Sequence, residues 1–199
     1  MDVIDLVKKD HDRVEELFLR FRGGGGLTGL VRRATGSVPP RQRRSALAGV
    51  CRELEVHARV EEEILYPAIR ETGDAELGRM LQDAYREHAR VKEQLASLRE
   101  RPEGEDLDAR VGALEECVQH HVGEEENDML PRVAELIDEA KRADLGRRMQ
   151  AQKRALAGRA GRRTTRPVAA RKRGSAARGR RPRTAAGRRK VHRKSRRTG

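Results

Sequence analysis

A chain of 199 residues is long enough for one well-cored domain and short for two. With 39% charged residues, 2% aromatic residues and no Trp, it lacks material for sheets, while its abundant Ala, Leu, Glu, Arg and Lys favour helices. The formal charge of +13 is uneven: residues 158–199 hold eighteen Lys or Arg and no acid, which leaves −5 for the rest. No apolar run approaches the ~20 residues of a membrane span, and no basic-then-apolar leader opens the chain, so the expected setting is cytoplasmic with no membrane partner.

Four stretches repeat apolar residues at the three- and four-residue intervals of a buried helical face. The first carries Ile4, Val7, His11, Val14, Phe18 and Phe21 and stops at the glycine run Gly23–Gly26. A linker follows to Pro39-Pro40, with a short helical turn expected around Leu27–Arg33. The second carries Leu47, Val50, Leu54, His57, Glu61 and Leu65 and is expected to end near Pro67. After a Thr72-Gly73-Asp74 turn, the third holds Leu77, Leu81, Ala84, His88, Val91, Leu95 and Leu98, and Pro102-Glu103-Gly104 breaks it. The fourth holds Leu107, Val111, Leu114, Val118, His121 and Glu125, reaches Pro131 and continues through Val133, Leu136 and Ile137. Short connections among the last three imply antiparallel neighbours, hence an all-α, up-down antiparallel four-helix bundle over residues 1–145. Residues 146–157 read as a helical extension or linker. Residues 158–199, rich in Arg, Lys, Gly, Ala and Pro, read as a disordered basic tail that cannot bury a core. Cys51 and Cys117 share no metal-type spacing and sit in apolar patterns, as buried thiols do.

The apolar stripes carry the chemistry. His11, His57, His88 and His121 fall on the inward face of one helix each, and Glu61 and Glu125 follow His57 and His121 by one turn on the same face. A lone histidine on such a stripe is more often a hydrogen-bonded core residue. Four of them, one per helix and in register with two carboxylates, reverse that expectation. Burying a carboxylate without a partner costs several kcal/mol or forces protonation, so two of them in this core call for cations or strong donors. An internal repeat supports it: His57-Ala-Arg-Val-Glu61 and His121-Val-Gly-Glu-Glu125 share their spacing, and in each the Glu precedes a proline by six. His11-Asp-Arg-Val and His88-Ala-Arg-Val match as well, so the chain reads as two helical hairpins about a pseudo-two-fold axis. His120 lies off the stripe and is expected to face solvent. Imidazole and carboxylate without thiolate suit iron, manganese or zinc. Two carboxylates between two histidine sets suggest a dinuclear site bridged by Glu61 and Glu125. The Glu-x-x-His pairs of ferritin-like bundles are absent: Lys8, Leu54, Tyr85 and Val118 stand three before the four histidines.

At "KDHDRV", "HARVEEEILYP", "REHARV" and "HHVGEEENDMLP", over about residues 1–140, the chain resembles the hemerythrin-like, or HHE cation-binding, family. The resemblance implies His11, His57, His88 and His121 as terminal ligands of two non-haem iron ions joined by an oxo or hydroxo bridge, with Glu61 and Glu125 as bridging carboxylates; manganese and zinc come second. Glu124 and Glu126 flank the fourth-helix acid, so spacing alone selects Glu125. Oxygen-carrying members have a further histidine one turn after the third-helix ligand, and here that position is Lys92. An open coordination position favours reaction with, or sensing of, a small oxidant or gas (peroxide, O2 or NO), including peroxide breakdown, over reversible oxygen carriage. Tyr85, one turn before His88, is a candidate oxygen ligand, though packing is the more expected role. The basic tail suits sequence-indifferent contact with nucleic acid and a nucleoid-associated location. In the alternative reading the chain is a DNA-binding architectural protein whose metal serves only folding. A third is a metal-free interaction bundle with satisfied core histidines.

Overall fold

The computed structural model describes residues 1–24 and 38–164, with side chains to 158. The turn expected at 27–33, and residues 165–199 of the basic tail, lie outside the described residues.

The protein is an all-α helical bundle with no strand among the described residues. Helix α1 (Val3–Arg22) starts where the Asp2 carboxylate accepts from the Ile4 amide at 2.9 Å. It ends at Gly23, whose φ of 77° closes the last turn at no steric cost. Helix α2 (Pro40–Val60) opens with proline at its first position, where a missing N–H costs nothing. It does not end near Pro67. A single wide π turn, π1 (Glu61–Leu65), passes into α3 (Tyr66–Arg70), so the helix continues past the proline. Proline lacks the amide for an i→i−4 bond and its ring crowds the carbonyl four residues back. The wide turn absorbs that clash: the Tyr66 amide bonds to the Glu61 carbonyl, five residues back. The same device recurs after α4 (Ala75–Glu100) and α5 (Leu107–Glu124), where π2 (Glu125–Met129) leads into α6 (Leu130–Leu136) and the Leu130 amide bonds to Glu125. Each π turn begins at one of the paired glutamates.

The buried apolar residues form two clusters with a polar layer between them. Along α1 the chain passes from Val3 and Val7 in one cluster, through His11, to Val14 and Phe18 in the other. Helix α4 runs the same way, from Leu77 and Leu81 through His88 to Val91 and Leu95, while α2 and α5 return. All four helices therefore deliver their histidine at the same depth.

A fifth long helix, α7 (Glu139–Thr164), packs on α1, α2 and π1. It crosses the segment expected to be an extension or linker and runs past Gly158, where the tail was expected to begin. Leu145 and Met149, 1% and 0% exposed, anchor it in the first cluster. Gly146 permits this docking, because a Cβ there would lie 2.4 Å from the Met1 carbonyl oxygen. Arg142 fixes the contact by donating to the Asp2 carboxylate at 2.8 Å. No helix among the described residues is long and apolar enough to cross a membrane.

Candidate metal centre

The polar layer brings together all six residues singled out above. His11, His57, His88 and His121 are 2–7% exposed, and Glu61 and Glu125 are 0% and 1% exposed. The four Nε2 atoms converge on the two glutamates. His57 and His88 place theirs 3.2 and 3.4 Å from Glu61 Oε2. His11 and His121 place theirs 3.2 and 3.7 Å from Glu125 Oε2. Each glutamate thus faces one histidine from its own hairpin and one from the other, as the pseudo-two-fold relation requires. Two sets of ligand atoms each lie within 4.8 Å of one another: His11, His57, His121 and Glu125, and His57, Glu61, His88 and His121.

The other ring nitrogens point outward, each toward a carboxylate. His11 Nδ1 lies 2.7 Å from Glu126, His88 Nδ1 3.0 Å from Glu62 and His121 Nδ1 2.9 Å from Glu87; His57 Nδ1 is 3.8 Å from Asp10. An acceptor at Nδ1 keeps the proton there and leaves the Nε2 lone pair inward, the arrangement a metal-binding imidazole needs. These four acids were not identified in the sequence, although each adjoins a predicted ligand: Asp10 before His11, Glu87 before His88, Glu62 after Glu61 and Glu126 after Glu125. Contact with the His88 ring, and with Lys92 at 2.6 Å, holds Glu62 down at about 2. Lys153 of α7 pairs with Asp10.

Without a cation the centre is electrostatically frustrated. Burial, reinforced by Glu125, pushes the Glu61 carboxyl well above its usual range. Burial acts the same way on Glu125, but contact with His11 and the nearby His121 overrides it and holds that group at about 2. Burial opposes charge on His11, yet Glu125 raises its pKa to about 9. Burial, with His11 and His88 adding to it, lowers His57 to about 4. His11 Nε2, Glu61 Oε1 and Glu125 Oε2 are buried with no hydrogen-bond partner. An orphaned polar atom such as Glu61 Oε1 costs ~1–3 kcal/mol and fits a site built for cations, while His11 Nε2 and Glu125 Oε2, 3.2 Å apart, support each other as an ion pair. Two imidazole-rich sets, each with its own glutamate and with His57 and His121 in common, offer the nitrogen and oxygen donors that iron, manganese or zinc accept.

The family model of the hemerythrin HHE cation-binding domain matches residues 2–133. The chain belongs to the hemerythrin HHE cation-binding family. It is also 26% identical over 136 residues to a protein of Nostoc sp. (strain PCC 7120 / SAG 25.82 / UTEX 2576) named DNA nickase. That alignment covers 67% of this chain and 34% of the relative, so the chain spans about a third of its relative's length. No solved structure matches.

Within this hemerythrin-family centre, a tyrosine takes a place that the sequence had suggested for another. Tyr66, 0% exposed, stacks on the His88 ring and sets its hydroxyl 3.4 Å from Glu61 Oε2, Glu125 Oε1 and His88 Nε2. Tyr85 packs edge-on against Tyr66 at 5.2 Å between ring centres, and no polar contact of its hydroxyl with the centre is seen. Burial and the flanking Glu61 and Glu125 raise the Tyr66 phenol well above its usual pKa, so it carries its proton. The only sequence signal for Tyr66 was its place beside the proline of the repeat. Lys92, at the position of the additional histidine of oxygen carriers, turns its amine to Glu62. His120 is 62% exposed at its side chain, as expected, and meets Glu87 and Glu124 at 3.3 and 3.2 Å.

On the side of the second cluster, the four histidine rings and the side chains of Val14, Leu54, Val91 and Val118 enclose a void of about 10 Å³. That is about one water-sized sphere.

Proposed function

We propose that residues 1–145 form an up-down antiparallel four-helix bundle holding two non-haem iron ions, and that the protein senses or transforms a small oxidant or gas there. In this reading His11, His57, His88 and His121 are terminal ligands and Glu61 and Glu125 bridge. The observation that carries it is the convergence of six buried donors beside a void of about one water-sized sphere. Bound iron would supply redox chemistry toward peroxide, O2 or NO. The chain's own residues do the rest. The outer carboxylates Glu62, Glu87 and Glu126 accept from the Nδ1 atoms of His88, His121 and His11 and fix those rings in place, while Asp10 faces His57 Nδ1 at 3.8 Å. Val14, Leu54, Val91 and Val118 keep bulk water from the histidine layer. The Tyr66 hydroxyl holds a proton 3.4 Å from one oxygen of each glutamate, where it can be donated to a charge developing at the centre. Iron analysis should give about two ions per chain, as the two ligand sets of a dinuclear site require. The loaded protein should consume peroxide faster than an equal amount of free iron; a rate no higher removes the peroxide reading and leaves sensing of O2 or NO.

The basic tail of residues 158–199 is read as a sequence-indifferent nucleic-acid contact that places the centre near DNA in a cytoplasmic, nucleoid-associated setting. Its eighteen positive charges without an acid support this, and a relative named DNA nickase is in keeping with it. The full chain should be retained on duplex DNA at low salt and released steeply as salt rises. A chain ending at Thr164 should be released at markedly lower salt; equal retention of the two forms would remove the tail from the mechanism. The same tail favours a second reading, a DNA-binding architectural protein with a purely structural metal. His57→Ala separates the two: lost chemistry in a folded, DNA-binding variant favours the first.

A further inference from the structure

The two hairpins correspond residue by residue about the centre. His11 pairs with His88, His57 with His121, Glu61 with Glu125, and the outer acids Asp10 and Glu62 with Glu87 and Glu126. The same correspondence matches Leu6, Val60 and Ile64 of the first hairpin with Asp83, Glu124 and Asp128 of the second. Where the first hairpin has three apolar residues, the second has three acids.

The structure treats the two sides differently. Leu6, Val60 and Ile64 are 4%, 0% and 8% exposed in the cluster that α7 completes with Leu145 and Met149. Lys153 and Gln152 of that helix reach Asp10 and Glu63. On the opposite side Asp83, Glu124 and Asp128 rim an open recess of about 210 Å³. Met80, Ala84 and Met129 help to wall it, and Glu87, His121 and Glu125 line it as well. Glu125, 1% exposed, brings a carboxylate with an oxygen that has no hydrogen-bond partner. Arg86 pairs with Asp83 at the outer edge and offsets part of the negative charge. Glu87 joins rim to floor: one oxygen meets His121 Nδ1 at 2.9 Å and the other lies 3.3 Å from His120 Nε2. Ligand atoms of Glu87, His120 and Glu124 lie within 4.8 Å of one another.

We propose that this acidic recess is the inlet for the divalent metal ion, with His120, Glu124 and Glu87 as transit ligands on the way to His121 and Glu125. The inference rests on the reading of the centre as a metal site. One imidazole and two carboxylates make a borderline donor set suited to a divalent transition ion. A cleft lined with carboxylates concentrates cations and repels anions. Its exposure keeps the hold weak enough for the ion to move inward, where four imidazoles and two buried carboxylates bind more strongly. Glu87 can release His121 to take the ion and return to it afterwards, so the outer bond that positions His121 is restored once the ion has passed. Among the described residues the other side shows no such route, because α7 and the apolar trio fill it.

The test is anaerobic stopped-flow loading of metal-free, full-length protein with Co²⁺ alone, followed through its visible absorption, and repeated with Fe²⁺. The variant is His120→Ala/Glu124→Gln, which alters neither a proposed resident ligand nor its outer partner. At low ionic strength the variant should load at least about tenfold more slowly, the lower end of what electrostatic focusing contributes. Its final stoichiometry and final spectrum should match the wild type, and its loading rate should respond less to added salt. Equal rates with complete filling would overturn the inlet and leave the centre intact. A lowered final stoichiometry would also overturn it, since the two residues would then belong to the resident site. Wild-type protein that takes up no metal would remove the centre itself, and the inlet with it.

Discussion

Glu61→Gln is expected to strip metal from the protein and at the same time to make the metal-free form more stable, whereas Glu125→Gln is expected to strip metal and to make the metal-free form less stable. The two glutamates occupy equivalent positions, yet their charges are supported unequally. Burial and the neighbouring Glu125 raise the Glu61 carboxyl far above its unfolded value, and Glu61 Oε1 has no hydrogen-bond partner. A group whose folded pKa is raised subtracts stability above its unfolded pKa, here 4.5, and subtracts more as pH rises. A neutral amide of the same shape removes that cost, by about 1–3 kcal/mol at neutral pH. The midpoint of thermal unfolding rises by about 2–10 °C in a domain of this size. For Glu125 the sign reverses. His11 holds its carboxyl at about 2, so the pair contributes stability above pH 4.5 that is lost as pH falls toward 2. Both substitutions delete an anionic ligand and should weaken iron binding by at least about 10²-fold, the upper end of what losing an outer partner costs. Calorimetry with and without iron, between pH 5 and 8, reads all of this. Destabilisation of the metal-free form by Glu61→Gln would mean that Glu61 is satisfied without a cation, and the metal centre would lose its physical basis.

Gly146→Ala is expected to lift α7 from the bundle. In an ordinary helix the change would be favourable by about 1 kcal/mol, because alanine is the better helix former. Here the added Cβ would stand 2.4 Å from the Met1 carbonyl oxygen, 3.0 Å from the Val3 nitrogen and 3.1 Å from the Asp2 carbonyl carbon. All three are backbone atoms, and they belong to the segment that caps α1 and receives Arg142. Neither side can yield by rotating a side chain. Leu145 and Met149 would leave the core, and a buried side chain of that size contributes ~1.5–3 kcal/mol. The net expectation is a loss of about 2–5 kcal/mol. Amide exchange should locate that loss in α7, with α4 and α5 protected as before. Unchanged α7 protection with a gain of about 1 kcal/mol would show that propensity outweighs contact at this position.

The stripes made His11, His57, His88 and His121 readable because a histidine in a helical hydrophobic period stands out whatever its partners are. Glu61 and Glu125 were readable because they repeat with the same offset from a histidine. The outer carboxylates were not, since pairing them required knowing which helices face each other: Glu126 reaches His11 across 115 residues of chain and Glu87 reaches His121 across 34. Helix α7 was legible only in outline, because Leu145 and Met149 are two buried anchors in a strongly polar segment. The end assigned to the second helix failed for a local reason. Pro67 ordinarily stops an α-helix, and the remedy, one wide turn, leaves no mark on the apolar period until the phase has already shifted.

That shift has a consequence of its own. Tyr66 bonds back to Glu61, and Leu130 to Glu125, across one residue more than an α-helix spans, so the chain beyond each glutamate is turned by about 100° against the winding before it. Whether a phenol or an aliphatic side chain then meets the histidine layer is decided by arithmetic along the chain as much as by residue type. Rewinding the same residues as an unbroken α-helix would leave His57 and Glu61 where they are and swing Tyr66 away. A change of winding, with no ligand altered, would thereby give the centre a different oxygen neighbour.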